Sequence, residues 1–183
     1  GISSHAGVEH ARSLGIPVIV TDHHLPGDTL PAAEAIINPN LRDCNFPSKS
    51  LAGVGVAFYL MLALRTFLRD QGWFDERGIA IPNLAELLDL VALGTVADVV
   101  PLDANNRILT WQGMSRIRAG KCRPGIKALL EVANRDPQKL AASDLGFALG
   151  PRLNAAGRLD DMSVGVALLL CDNIGEARVL ANE

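Results

Sequence analysis

An α/β fold, with a parallel sheet near the front of the chain and a largely helical region behind it, is predicted by three observations. The run Ile16-Pro17-Val18-Ile19-Val20-Thr21 is short, continuous and β-branched, which is how a strand buried on both faces of a parallel sheet reads. A second short apolar stretch, Ala35-Ile36-Ile37, ends in Asn38-Pro39-Asn40, where proline removes a ladder donor and the strand must leave the sheet. From Leu51 onward the apolar residues recur at steps of three and four, the helical period.

Each element can be justified in order. Ser3 or Ser4 caps a first helix through Val8 and Ala11 toward Leu14, and Gly15 stands where a left-handed residue ends a helix. Helix then buried strand is half of an α/β repeat. Ala52 to Arg69 places Val56, Tyr59, Leu60, Ala63, Leu64 and Phe67 on one face, a stripe suited to packing on a sheet. Asp70 to Pro82 reads as a linker. Asn83 caps a helix through Leu84, Leu87, Leu88 and Leu90, and further helices are expected over Asn106 to Arg118 and Gly125 to Val132. Ser143 caps a short one before Gly150-Pro151, and Ser163 to Glu183 is helical with a break near Asp172-Asn173. An open parallel sheet usually holds about four or more strands, and two are legible here, so further N-terminal sequence is expected.

Composition narrows the function. With 183 residues, 49% hydrophobic and 20% charged, the chain can bury a core as one domain or a little more. Neither a signal peptide nor an apolar run of membrane-spanning length is present, and a soluble, cytoplasmic protein is expected. Cys44, Cys122 and Cys171 are far apart and odd in number, which suggests neither a disulfide framework nor a zinc site. The net charge of −3 excludes a protein that coats nucleic acid by charge alone. Any such binding is local, with Arg107, Arg116, Arg118, Lys121 and Arg123 the best run, joined by Arg152 and Arg158 if the fold brings them near; a solvated helix face is the alternative.

Four motifs could carry chemistry. Asp22-His23-His24 follows the first strand at the end where α/β sheets place ligands, and its residue types suit Mn²⁺, Mg²⁺ or Zn²⁺; a simple polar turn is the other reading. Asp98, among Ala92 to Leu102, is a carboxylate in apolar company. Burying it unpaired would cost several kcal/mol, so a metal, an arginine or an exposed loop must resolve the conflict. In Gly150-Pro151-Arg152-Leu153-Asn154-Ala155-Ala156-Gly157-Arg158-Leu159, two arginines flank small residues and could hold phosphate or form structural ion pairs. Gly53 and Gly55 open a helix, offering amides to an anion or close packing to a sheet.

Val20 to His24, Leu51 to Phe58, Gly94 to Leu102 with Asn105-Asn106-Arg107, and Pro151 to Leu159 together resemble the DHH phosphoesterase family, in particular its single-stranded-DNA exonucleases. The resemblance implies the C-terminal part of a DHH-type parallel-sheet domain followed by a largely helical region: residues 1–50 a partial α/β core, 51–162 its helical remainder, 163–183 the start of a helical connection to a following domain. It implies that His23 and Asp98 bind metal, Mn²⁺ or Mg²⁺ in a two-metal site. Asp22 orients that site, His24 faces the scissile phosphate, and Arg152, Asn154 and Arg158 contact the DNA backbone. The implied activity is 5′-to-3′ hydrolysis of single-stranded DNA in repair and recombination, with a single-strand-binding protein or other replication and repair proteins as partners and no membrane. Alternatives are a phosphodiesterase for cyclic dinucleotides or short oligonucleotides, and a noncatalytic nucleic-acid or partner-binding module.

The chain departs from the family pattern in lacking the aspartate-rich first motif and the further aspartate of the second; Gly1 to His5 resembles the residues immediately after that second motif. His23 and Asp98 cannot alone complete a two-metal shell, so this fragment is expected to be inactive by itself. An aromatic content of 4% agrees, because grip on single strands usually rests on aromatic stacking.

Overall fold

A computed structural model describes residues 1–159 and 162–183, leaving aside the side chains of residues 155–159. The chain divides into two units, Gly1–Pro82 with Pro101–Asn106, and Asn83–Val100 with Arg107–Glu183.

In the first unit, α1 (His5–Ser13) follows Ser4, which occupies the N-cap position without bonding the helix through its hydroxyl. Gly15 has φ +72°, the left-handed conformation expected of it. Strands β1 (Ile19–Thr21) and β2 (Ala35–Ile37) pair in parallel, with Ile19 opposite Ala35, Val20 opposite Ile36 and Thr21 opposite Ile37. The first strand departs from expectation, because Val20 is buried whereas Ile19 is 64% exposed. Alternate residues of a strand point to opposite faces, and among the described residues only the face of Val20 is covered. Helix α2 (Gly53–Asp70) packs on β1.

The stripe on α2 is buried over its first turns, at Gly55, Val56 and Phe58, and opens further on, where Leu64 and Phe67 are exposed. There α2, β2 and the segment after β2 line a cavity of about 860 Å³. The expected linker contains a short helix, α3 (Trp73–Glu76), anchored by buried Phe74, with the Arg77 guanidinium 4.5 Å from the Trp73 ring centre. Residues 101–106 join this unit through buried Asn106, whose amide donates to the carbonyls of Ser50 (2.6 Å) and Pro101 (2.9 Å). Asp103 accepts from Ser48 Oγ at 2.7 Å.

The second unit begins with the 3₁₀ turn Leu84–Leu87, where Asn83 accepts from the Ala85 amide, and continues into α4 (Leu88–Ala97). It holds most of α5 (Ala104–Arg118), then α6 (Pro124–Val132), which starts on a proline whose missing N–H costs nothing there. Ile117, Ile126, Leu129, Leu130, Leu140, Leu145 and Leu149 form its core at 2% exposure or less. Close helix approach is made possible by Gly113, where a Cβ would lie 2.0 Å from the Leu88 carbonyl oxygen, and by Gly125, where it would lie 2.1 Å from that of Leu168.

Two expectations are corrected in this unit. Arg123 is not a free surface cation, because its guanidinium grips the carboxylate of Asp89, 1% exposed, at 3.1–3.2 Å, and reaches the Leu169 carbonyl. Arg118 likewise donates from Nε to the Leu140 carbonyl at 3.0 Å. Gly150-Pro151 does not end a helix either. The one-turn α7 (Ala142–Asp144) runs through a π turn (Leu145–Leu149) into α8 (Gly150–Leu159). Ser143 sits inside α7, and Asp144 makes the terminal bond by accepting from the Ala141 amide at 2.8 Å. Pro151 has no N–H to give and its ring crowds the carbonyl four residues back, so the wider π turn accommodates it.

The chain closes with α9 (Ser163–Leu170) and α10 (Ile174–Asn182), the latter capped by Asn173, which accepts from the amides of Gly175 (2.8 Å) and Glu176 (3.1 Å). This is the break expected near Asp172-Asn173. No helix among the described residues is long and apolar enough to cross a membrane.

Candidate metal centre

Asp22, His23 and His24 leave the C-terminal end of β1, and the Asp22 amide extends the ladder by donating to the Ile37 carbonyl at 3.0 Å. The carboxylate of Asp22 is buried. Its Oδ1 accepts from the amides of His23 (2.6 Å) and His24 (3.0 Å) and lies 2.7 Å from His24 Nδ1, while Oδ2 accepts from the Ile2 amide at 2.5 Å. Burial pushes this carboxyl up, but the bonds from His24, Ile2 and His23 together outweigh it and hold it well below the usual carboxylate range. Asp22 is therefore a fixed anion whose bonds organise the two histidines.

The backbone of the histidine pair is pinned from β2. Asn38 donates from Nδ2 to the His24 carbonyl at 2.8 Å, Asn40 donates from Nδ2 to the His23 carbonyl at 2.6 Å, and the Asn40 amide bonds Asn38 Oδ1 at 2.9 Å. From the sequence alone, Asn38-Pro39-Asn40 reads only as the end of a strand. The parallel register supplies the missing signal: with Thr21 opposite Ile37, the next residues along both strands are Asp22 and Asn38.

With Nδ1 donating to Asp22, His24 presents Nε2 outward from an exposed ring. His23 is half-buried, with its ring centre 4.2 Å from that of His24. Gly53, at the start of α2, stands beside it, since a Cβ there would lie 3.6 Å from His23 Cδ2. Gly55 abuts Leu51 at 3.0 Å on the same measure, so the two glycines serve close packing.

One ligand atom from each of Asp22, His23 and His24 lies within 4.8 Å of the others. Two donors ~2.1 Å from one ion are at most ~4.2 Å apart, so the three groups lie near the spacing that a single cation requires. One carboxylate and two imidazoles fit a borderline ion such as Mn²⁺ better than Mg²⁺, which prefers oxygen.

The other expected residues belong to the second unit. Asp98 is exposed at the end of α4, its amide bonded to the Gly94 carbonyl at 3.0 Å, so exposure resolves the conflict its apolar neighbours posed. The following Val99 has φ +58°, an uncommon conformation for a β-branched residue. Arg152 and Asn154 are exposed on α8, and Arg152 Nη1 donates to the Ala148 carbonyl at 2.7 Å. Arg158 lies in α8 with its side chain outside the described residues.

Residues 1–95 match the DHH family, N-terminal domain. The whole chain is 99% identical to the single-stranded-DNA-specific exonuclease RecJ of Escherichia coli K12 and 41% identical to that of Bacillus subtilis, covering 32% and 21% of those proteins. The chain thus spans about a third of the length of the Escherichia coli relative. A crystal structure of exonuclease RecJ bound to manganese, 36% identical, superposes with a TM-score of 0.79 over 100% of this chain and 43% of that one. RecJ in complex with Mg²⁺ from Thermus thermophilus, also 36% identical, gives 0.68 over 92% of this chain and 23% of that one.

Proposed function

The chain belongs to the DHH family, and we propose that it forms part of the catalytic core of a metal-dependent 5′-to-3′ single-stranded-DNA exonuclease acting in DNA repair and recombination. The observation that carries this reading is the Asp22-His23-His24 cluster at the end of a parallel strand, with ligand atoms within 4.8 Å of one another. Names of relatives support it, as do the Mn²⁺ and Mg²⁺ in solved relatives.

In this reading His23 and Asp98 hold Mn²⁺ or Mg²⁺. Asp22 acts through its bonds, keeping His24 oriented so that Nε2 addresses a phosphoryl oxygen of the scissile diester. Arg152, Asn154 and Arg158 contact the DNA backbone. A divalent ion, when bound, supplies Lewis-acid polarisation and acidifies water. The cluster contributes one carboxylate where a two-metal centre uses several, so the isolated chain is inactive. The intact enzyme works in the cytoplasm on single-stranded DNA, with a single-strand-binding protein or other replication and repair proteins as partners.

Substrate length tests the reading. In the full-length Escherichia coli relative with this chain's sequence in place, long single strands should be degraded to mononucleotides with Mn²⁺. Activity confined to cyclic dinucleotides or short oligonucleotides would overturn it.

A further inference from the structure

Among the exposed apolar side chains of the second unit's described residues, Val99 and Phe147 are the most exposed, at 86% each. They belong to segments that pack together. A Cβ on Gly146 would lie 3.2 Å from Val96 Cγ1, and one on Gly150 would lie 3.2 Å from the Ala97 Cβ. These two glycines bracket Phe147, so the end of α4, carrying Asp98 and Val99, adjoins the π turn. Along that turn and into α8, Leu145, Ala148 and Leu149 point inward, while Phe147, Pro151 and Asn154 are exposed at i, i+4 and i+7, one face of a helix. The Arg152 side chain folds back until Nη1 meets the Ala148 carbonyl at 2.7 Å, which brings its cation to the turn that carries Phe147.

Leaving a phenylalanine in water forgoes ~1.5–3 kcal/mol of burial, so the exposed ring calls for an occupant. A stable protein partner usually takes ~800 Å² per side. Phe147, Val99 and Pro151 are three exposed side chains, too few for such an interface, and Arg152 and Asn154 are exposed on the same helix as Pro151. An aromatic face beside an arginine is the pairing that recognises unpaired bases: the ring stacks on the base and the cation meets the backbone. We propose that Phe147 is a stacking platform for a nucleobase of single-stranded DNA, with Arg152 at the adjoining phosphate. Duplex DNA cannot use this platform, since its base faces are covered by their neighbours, so the contact selects for single strands. The inference rests on the nuclease reading above and adds to it a binding residue outside the expected set.

The test uses the full-length Escherichia coli relative with this chain's sequence in place, and a fluorescein-labelled oligothymidylate read by anisotropy in Ca²⁺. Phe147→Ala should weaken binding ~10-fold, within the range of one lost stacking contact, and Phe147→Trp should restore it. On an abasic oligonucleotide, binding should already be weak and Phe147→Ala should change it little. Unchanged affinity in Phe147→Ala, or an equal loss on intact and abasic strands, overturns the proposal. If the unmutated protein still degrades single strands in either case, the nuclease reading stands without it. A protein that neither binds nor degrades single strands sinks both.

Discussion

Asp22 Oδ1 lies 2.7 Å from His24 Nδ1 and accepts the amides of both histidines as well, so one buried carboxylate sets the ring orientation and the backbone of the cluster. Through the His23 amide it also positions the histidine that holds the metal in this reading, and supporting bonds of this kind are worth ~10–100-fold in metal affinity. Asp22→Asn in the full-length relative should therefore weaken Mn²⁺ binding by that factor in titration calorimetry, without removing His23. Unaltered affinity would mean that Asp22 does not organise the site.

The same carboxylate makes stability depend on pH. Its folded pKa is held below the unfolded value of ~4. Its contribution is therefore present in full above pH ~4 and is lost as pH falls through the lowered folded value. With chelator present, Asp22→Asn should be less stable than the parent chain at pH 7, and the gap should shrink as the solution is acidified below pH ~4. Circular dichroism of acid unfolding checks this; a gap that widens in acid reverses the sign of the argument.

Asp89 and Arg123 form an ion pair across 34 residues of sequence, with Asp89 1% exposed. Removing one partner strands a charge, at ~3–5 kcal/mol. Asp89→Ala should lose about that much in urea unfolding, and replacing the pair together, Asp89→Leu with Arg123→Met, should cost less than either single change. A loss below ~1 kcal/mol for Asp89→Ala would show the pair to be unimportant.

Glycines separate by what surrounds them. Gly113→Ala drives a Cβ to 2.0 Å from the Leu88 carbonyl oxygen, backbone that cannot yield cheaply, and should destabilise by ~1–3 kcal/mol or more. Gly7→Ala in α1 meets nothing within 4 Å and should stabilise by ~0.4–1 kcal/mol. Thermal melts of the two variants distinguish them.

Much of this was legible in the sequence because it is local. The strands around Val20 and Ile36, the helix after Ala52 and the break before Ile174 can be read from period, proline and capping residues within a few positions. The sheet-then-helices order was readable for the same reason. The features that escaped depend on distance. Nothing near Arg123 reveals Asp89, nothing in Asn38-Pro39-Asn40 reveals the histidine carbonyls, and the exposure of Ile19 depends on which strand face is covered. Gly150-Pro151 reads as a stop, and only a π turn lets the helix continue past it. At the site, the sequence places Asp22, His23 and His24 side by side, but the tautomer of His24 and the support from Asn38 and Asn40 come from the fold.

The most direct measurement is nuclease activity on 5′-labelled single-stranded DNA with Mn²⁺, comparing this chain with the full-length relative that carries it and with His23→Ala in that longer protein. The account expects mononucleotides from the full-length protein, almost none from His23→Ala and none from this chain alone. Metal-dependent degradation by this chain, or full activity in His23→Ala, would contradict it.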